Sequence, residues 1–222
     1  MRTLLFDTET TGTKEARLVE AAWVQLADGA PSVVAVEKFS KRYNPGKPIE
    51  CGAMATHHIV DEYVADQPPA REFRLPEDTA FLIAHNVDFD YQVALSCGPQ
   101  PTPKRICTLA LSRSLWPEAD SHGLAALCYL LARREAMAVC PSAHGAETDV
   151  LLCGILLAKI LARLTPATWE ELWQTSEWSR IPTVMPFGKW KGVPMKEVPR
   201  DYKDWLLRQA DVDPYLVQAL RA

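Results

Sequence analysis

The stretch that most constrains this chain is Leu4-Leu5-Phe6-Asp7-Thr8-Glu9-Thr10-Thr11-Gly12. An apolar run leads straight into two carboxylates spaced i, i+2. On a strand that spacing puts Asp7 and Glu9 on one face. Two like charges so placed repel each other, and a cation between them removes the repulsion. A plainer reading also stands: a strand entering a Thr-Thr-Gly turn, with two solvated acids. Which reading holds depends on whether the rest of the chain brings more acids and a base to the same place.

The pattern along the chain predicts where those acids lie. Residues 2–7, 16–27 and 32–43 read as three strands joined by short turns, an opening antiparallel meander. Residues 48–64 read as short helices, and 65–79 as a loop with a helical piece. Ala80 to Ala84 is a buried-strand candidate that leads into a helix ending near Ser96, and 105–108 is one more short strand. Helices are expected at about 108–115, 122–135 and 146–164. Another starts after Thr165, with Pro166 in its first turn. Three strands followed by strands alternating with helices predict an α/β domain with a mixed sheet covered by helices.

Two further acidic clusters sit at element ends. Asp88 and Asp90 open a helix after the fourth strand. His144-Gly145-Ala146-Glu147-Thr148-Asp149 opens the long apolar helix. Each alone fits ordinary helix capping, since acids in a first turn complement the dipole. His144 and Asp149 cannot share a helix face. They can meet only if the histidine sits on the preceding loop. If all three stretches converge, four carboxylates and an imidazole share one pocket. Hard oxygen donors favour Mg²⁺ or Mn²⁺ over zinc, and a two-metal site suits phosphoryl displacement.

These residues resemble the DEDDh, or DnaQ-like, 3′–5′ exonucleases. Asp7-x-Glu9, Asn86-x-x-Phe89-Asp90 and His144-x-x-x-x-Asp149 match the three motifs of that family in order, over about residues 1–165. The resemblance implies a ribonuclease H-like α/β fold: a mixed five-stranded sheet flanked by helices. It implies that Asp7, Glu9, Asp90 and Asp149 bind two Mg²⁺ ions, with Mn²⁺ as a substitute and Asp7 as the bridge. It implies that His144 is the general base, and it selects Asp90 over Asp88. Gly145 stands where the sister subfamily has its tyrosine. Thr8, Thr10, Thr11, Gly12 and Asn86 are the implied seat of a 3′-terminal nucleotide, with Phe89 stacking on its base. His57 is either near that nucleotide or a surface or capping histidine. His58 and His122 are expected to be structural or solvent-facing.

Beyond Ile181-Pro182 the chain changes character. Residues 1–180 hold 17 Lys+Arg and 23 Asp+Glu, and residues 181–222 hold 7 and 5. The tail is thus the more basic part of a chain of net charge -4. It reads as a strand at 183–187, a turn at 189–192 and two short helices, a small C-terminal appendage to a domain of residues 1–180. Phe187-Gly188-Lys189-Trp190-Lys191-Gly192 and the later Asp201-Tyr202-Lys203-Asp204-Trp205-Leu206 resemble tails of the exodeoxyribonuclease X group of that family. That favours DNA with a 3′ end, whether single-stranded, tailed or duplex, and a setting in DNA repair. RNA trimming, a polymerase proofreading subunit and a non-catalytic nucleic-acid-binding module are the rivals. Lys189, Lys191, Lys196, Arg200 and Lys203 with Trp190 suggest a phosphate-contacting surface. A structural hairpin with solvated lysines is the other reading.

No signal peptide is expected, because Asp7 and Glu9 interrupt the N-terminus. The apolar run from Val150 to Leu164 is 15 residues long and carries Lys159 and Arg163, too short to span a bilayer. The six cysteines contain no CxxC pair, which predicts free thiols in a cytoplasmic protein. No membrane partner is expected, and a homodimer stays open.

Overall fold

A computed structural model describes residues 1–210 and 212–222. The apolar alternation that begins at Leu4 runs further than its sequence suggests: β1 spans Arg2–Thr10, so Glu9 lies within the strand and not past its end. β2 (Leu18–Leu26) and β3 (Ala35–Arg42) complete the expected antiparallel meander. Short helices α1 (Cys51–His57) and α2 (Asp61–Val64) follow, with a 3-10 turn at Ala70–Glu72. β4 (Thr79–Ala84), α3 (Val87–Ser96) and β5 (Lys104–Cys107) form a β-α-β unit, with β4 parallel to both β1 and β5. The five-stranded sheet has the order β3-β2-β1-β4-β5. β1 is therefore the central strand, antiparallel to one neighbour and parallel to the other.

The period of two in β1 sorts its side chains between two cores. Leu4 and Phe6 join Leu82, Ala84, Val87 and Tyr91 on the face covered by α3. Leu5 joins Val24, Ile83, Val150 and Leu157 on the face covered by α7 (Ala146–Leu164). Asp7 and Glu9 have the parity of Leu5. They therefore continue the apolar row beneath α7, whose first turn carries Asp149. α7 buries Val150, Cys153, Leu156, Leu157 and Ile160 at period 3–4, the stripe of a sheet-covering helix.

Helices α4 (Thr108–Leu115), α5 (Leu124–Leu131) and α6 (Arg133–Val139) pack around α7, and α8 (Trp169–Arg180) packs on α4 and β5. The single helix expected over 122–135 is two, because Ala132 takes φ −150° and ψ 52°. Pro166 is not in a first turn: the helix starts after Thr168, whose side chain accepts the Glu171 N–H at 3.2 Å, while Glu171 reaches back to the Ala167 N–H. Among the described residues no single helix is long and apolar enough to cross a membrane, and all six cysteines are free.

The tail has a small core of its own, in Met185, Met195, Val198, Leu206, Leu216, Ala219 and Leu220. α9 (Arg200–Leu206) and α10 (Pro214–Arg221) supply most of it. The strand expected at 183–187 is reduced to one bridge between Val184 and Pro194, since Pro186 and Pro194 have no N–H for a ladder. The tail meets the main body at a buried guanidinium. Arg180 donates to Asp88 Oδ2 (2.8 Å), to Tyr215 Oη (2.8 Å) and to the Arg105 carbonyl (3.0 Å). Its side chain is only 5% exposed.

Candidate active site

Three of the four expected carboxylates meet directly. Asp7 and Glu9 from β1 and Asp149 from α7 each offer an oxygen, all within 4.8 Å of one another. Asp90 lies just behind, 3% exposed. Its Oδ1 accepts the Thr8 N–H at 3.1 Å and the Thr8 hydroxyl at 2.8 Å. The backbone explains this contact. β4 pairs with β1 only as far as Leu5, so β1 runs on past its parallel neighbour. The Thr8 N–H would then be a buried orphan, and the first turn of α3 supplies Asp90 to receive it. Asp88, two residues earlier, points the other way and pairs with Arg105 (2.5 Å) and Arg180. The structure thus separates two acids that chemistry alone left equivalent.

Every carboxyl of the group is held above its ordinary range. Asp7 is raised first by burial and then by Asp90, Asp149, Glu9 and Glu20. Burial, then Asp149, Glu20 and Asp90, push Glu9 up to about 8. Asp90 is pushed up to about 7 by burial, against the two Thr8 hydrogen bonds. Burial raises Asp149, opposed by the His144 N–H and the His144 charge. No cationic side chain is among the influences on Asp7 or Glu9. Clustered oxygen donors with uncompensated charge fit a hard divalent cation, and Asp7, Glu9 and Asp149 are the residues to hold it.

His144 sits on the loop before α7, as its spacing from Asp149 requires. It is exposed, with φ 68°, and its N–H donates to Asp149 Oδ1 at 3.2 Å. The loop conformation is set by a residue the sequence reading missed, Glu20. It lies opposite Glu9 on β2. Its Oε2 accepts the Ala146 N–H at 3.0 Å, and its Oε1 accepts from Arg42 Nε at 3.0 Å. Glu20 thereby takes one of the free N–H groups at the start of α7 and fixes the segment between His144 and Asp149. The available signal was a lone acid in an apolar strand, between Val19 and Ala21.

The residues expected to seat a nucleotide are mostly committed to internal bonds. Thr8 is engaged by Asp90. Thr10 Oγ1 donates to the Gly12 carbonyl at 2.9 Å. The Thr11 N–H donates to the Arg17 carbonyl and the Thr11 carbonyl accepts from Glu50 N, so those backbone groups are not free for a sugar. Gly12 takes φ 153°, where a Cβ would fall 2.3 Å from the Glu50 carboxyl carbon. His57 is not a surface histidine; it caps the end of α1. It is buried, its Nε2 meets the Thr10 carbonyl at 3.1 Å, and its Nδ1 accepts the Ile59 N–H at 3.0 Å. It braces the Thr10–Gly12 turn from beneath. Asn86 caps α3 in the left-handed region (φ 78°) and is exposed, while Phe89 is half-buried beside Asp90. His58 is exposed, and His122 is structural, its Nε2 against the Trp116 carbonyl. In the tail, Trp190 packs against the small core, whereas Phe187 and Trp205 stay exposed.

Comparison with known proteins agrees with this geometry. Residues 4–157 match the RNase_T family model, described as exonuclease. The chain is 29% identical over 214 residues to Exodeoxyribonuclease 10 of Escherichia coli, covering 93% of this chain and 91% of that one. It is 34% identical over 139 residues to a DNA polymerase III subunit epsilon-like protein of Rhodobacter capsulatus, 58% of this chain but 20% of that one. Among solved structures it resembles exonuclease X in complex with 5′ overhanging duplex DNA. The TM-score is 0.63 at 29% identity, covering 78% of this chain and 99% of that one. E. coli exonuclease I, at 18% identity and TM-score 0.59, covering 83% of this chain and 46% of that one, shares the fold.

Proposed function

This chain belongs to the RNase_T exonuclease family, and on that premise we propose that it is a Mg²⁺-dependent 3′–5′ exodeoxyribonuclease. It releases nucleoside 5′-monophosphates from DNA 3′ ends and serves DNA repair in the cytoplasm. The observation that carries the reading is the convergence of Asp7, Glu9 and Asp149, with Asp90 behind them, where among the described residues no cationic side chain acts on Asp7 or Glu9. The free thiols of all six cysteines suit a reducing compartment. The likeness to Exodeoxyribonuclease 10 spans the tail as well as the nuclease body, which supports DNA as the substrate.

Divalent ions, when bound, supply the positive charge that an in-line phosphoryl displacement needs at its attacking and leaving oxygens. The chain supplies the rest. Asp7, Glu9 and Asp149 would hold the ions, and Asp90, just behind them, would complete the set. His144, on an exposed loop, takes a proton from the attacking water at an imidazole nitrogen. Water oxygen bonds to phosphorus, the bond from phosphorus to the 3′ oxygen breaks, and that oxygen takes a proton from solvent, leaving a 3′-hydroxyl on the shortened strand. Phe89 presses on the terminal base. Thr10, Thr11, Gly12 and His57 act as the rigid floor beneath that nucleotide.

The test is degradation of 3′-tailed, blunt and single-stranded DNA, with matched RNA alongside, in Mg²⁺ or chelator. Loss of nucleotides from the 3′ end only with Mg²⁺, and at least a thousandfold less with Asp7→Ala, is expected. An undiminished rate in Asp7→Ala, or equal rates on RNA and DNA, overturns the mechanism or the substrate respectively.

A further inference from the structure

We infer that the C-terminal unit is a second nucleic-acid contact, in which Phe187, Tyr202 and Trp205, flanked by Lys189 and Lys191, form a stacking surface for a single-stranded stretch of DNA. The inference rests on the exodeoxyribonuclease reading and deepens it.

A unit of about 40 residues has few apolar side chains to build a core with. This one buries seven, yet leaves Phe187 and Trp205 each 48% exposed and Val184 43% exposed. The turn that carries Phe187 and the ring of Trp205 both border the partly buried Tyr202. Gly188 has φ 71°, and a Cβ there would lie 2.7 Å from Tyr202 Oη, so the turn that carries Phe187 and Lys189 abuts Tyr202. Tyr202 in turn meets Trp205 with ring centroids 5.4 Å apart. The hairpin beneath is held by Met185 N to the Val193 carbonyl (2.9 Å) and Gly192 N to the Met185 carbonyl (2.8 Å). Trp190 packs inward and carries Lys189 Nζ 5.4 Å from its ring centroid.

Charge points to the occupant. From Thr183 to Lys196 the chain has three lysines, all exposed, and no acid, while on α9 Arg200 and Lys203 stand against Asp201 and Asp204, so the basic side of the surface is the turn. The nuclease body is net negative and cannot attract a polyanion by its overall field. Open aromatic faces beside lysines suit unpaired bases on a phosphate backbone. A duplex keeps its base faces inside the stack, and an apolar protein partner would have to desolvate the lysines. Arg180 joins this unit, through Tyr215, to Asp88 on the helix that carries Asp90, so a strand held here is held on a body fixed to the active site.

The experiment measures binding of a fluorescent oligothymidylate by anisotropy in chelator, across a salt series. The proteins are wild type, Phe187→Ala/Trp205→Ala and Lys189→Gln/Lys191→Gln. We expect about tenfold weaker binding for the aromatic pair, and a salt slope reduced by about 1.4 for the lysine pair, at about 0.7 per lost contact. Both lysines are exposed, so their replacement guards against misfolding of the aromatic pair. Hydrolysis of the p-nitrophenyl ester of thymidine 5′-monophosphate, which reaches only the carboxylate site, should be equal in all three. Failure of the wild type to cleave that ester sinks the nuclease reading. Full ester activity with unchanged affinity and slope in both variants overturns the tail surface alone. So does a changed sedimentation coefficient at unchanged DNA affinity, which would make the face a contact between copies of this chain.

Discussion

Glu9 makes the metal-free protein weaken as pH rises, and the size of the effect follows from its surroundings. Its carboxyl, ordinarily at 4.5, is pushed up to about 8 by burial and by Asp149, Glu20 and Asp90. Between those values the folded state holds a proton that the unfolded chain has lost, so stability falls with pH. The contribution is complete below about 4.5 and is lost as pH passes about 8. At about 1.4 kcal/mol per pH unit, the interval from pH 5 to 8 is worth at most about 4 kcal/mol. Relaxation of the metal-free site and solvent around it reduce that to about 2 kcal/mol, or about 4–8 °C in Tm for a chain of this size. The assay is thermal unfolding of wild type and Glu9→Gln in chelator at both pH values, because the variant keeps the shape and cannot ionise. The two should match at pH 5, and the variant should be the more stable at pH 8. Mg²⁺ should reverse that order at pH 8 by binding wild type more tightly. A difference between the two proteins that is the same at both pH values refutes the reasoning, since the term must come from ionisation.

Other sites give sharper but smaller tests. His144→Ala should lower kcat by about 10²–10⁴-fold and leave stability within about 0.5 kcal/mol of wild type, because the side chain is exposed; a large loss of stability counts against it. Glu20→Ala should cost about 1–3 kcal/mol by orphaning the Ala146 N–H and should slow cleavage by displacing the His144 loop. Glu20→Gln should restore most of both, measured by urea unfolding and initial rates. His85, between Thr108 Oγ1 and the His122 carbonyl, is pushed down to about 4, chiefly by burial. Its contribution is present above about 6.5 and lost as pH falls through about 4, at most about 3 kcal/mol. His85→Gln should flatten the pH dependence of the urea midpoint across that interval.

Much of the fold was legible because its signals are local. The alternation in β1, the two acids it aligns, the buried run before α3 and the apolar stripe of α7 each lie within a dozen residues. The loop position of His144 followed from helix geometry alone. The choice of Asp90 over Asp88 came from a family resemblance. Its physical cause, an unpaired ladder N–H at Thr8, depends on where β4 stops, and no local pattern marks that point. Glu20 escaped notice because its partner at Ala146 is 126 residues away. The capping role of His57 toward Ile59 is local and was among those expected, but its second contact, to the Thr10 carbonyl, is 47 residues distant and left no local mark. The break at Ala132 separates two helices with no glycine or proline to announce it.

The guanidinium of Arg180 bears on how this protein can be taken apart. A junction between two folded units is commonly a loose linker that can be cut without effect on either side. Here the last residue of α8 is shared: it satisfies an acid in the turn that presents Asp90, a carbonyl of β5 and a tyrosine of the tail. A truncation after residue 180 removes Tyr215 from a side chain that is almost wholly enclosed, and admits water to the guanidinium that holds Asp88. A shortened enzyme would report the loss of the tail and the loosening of its own catalytic helix together. Substitutions within the intact chain are therefore the cleaner way to assign a role to either part.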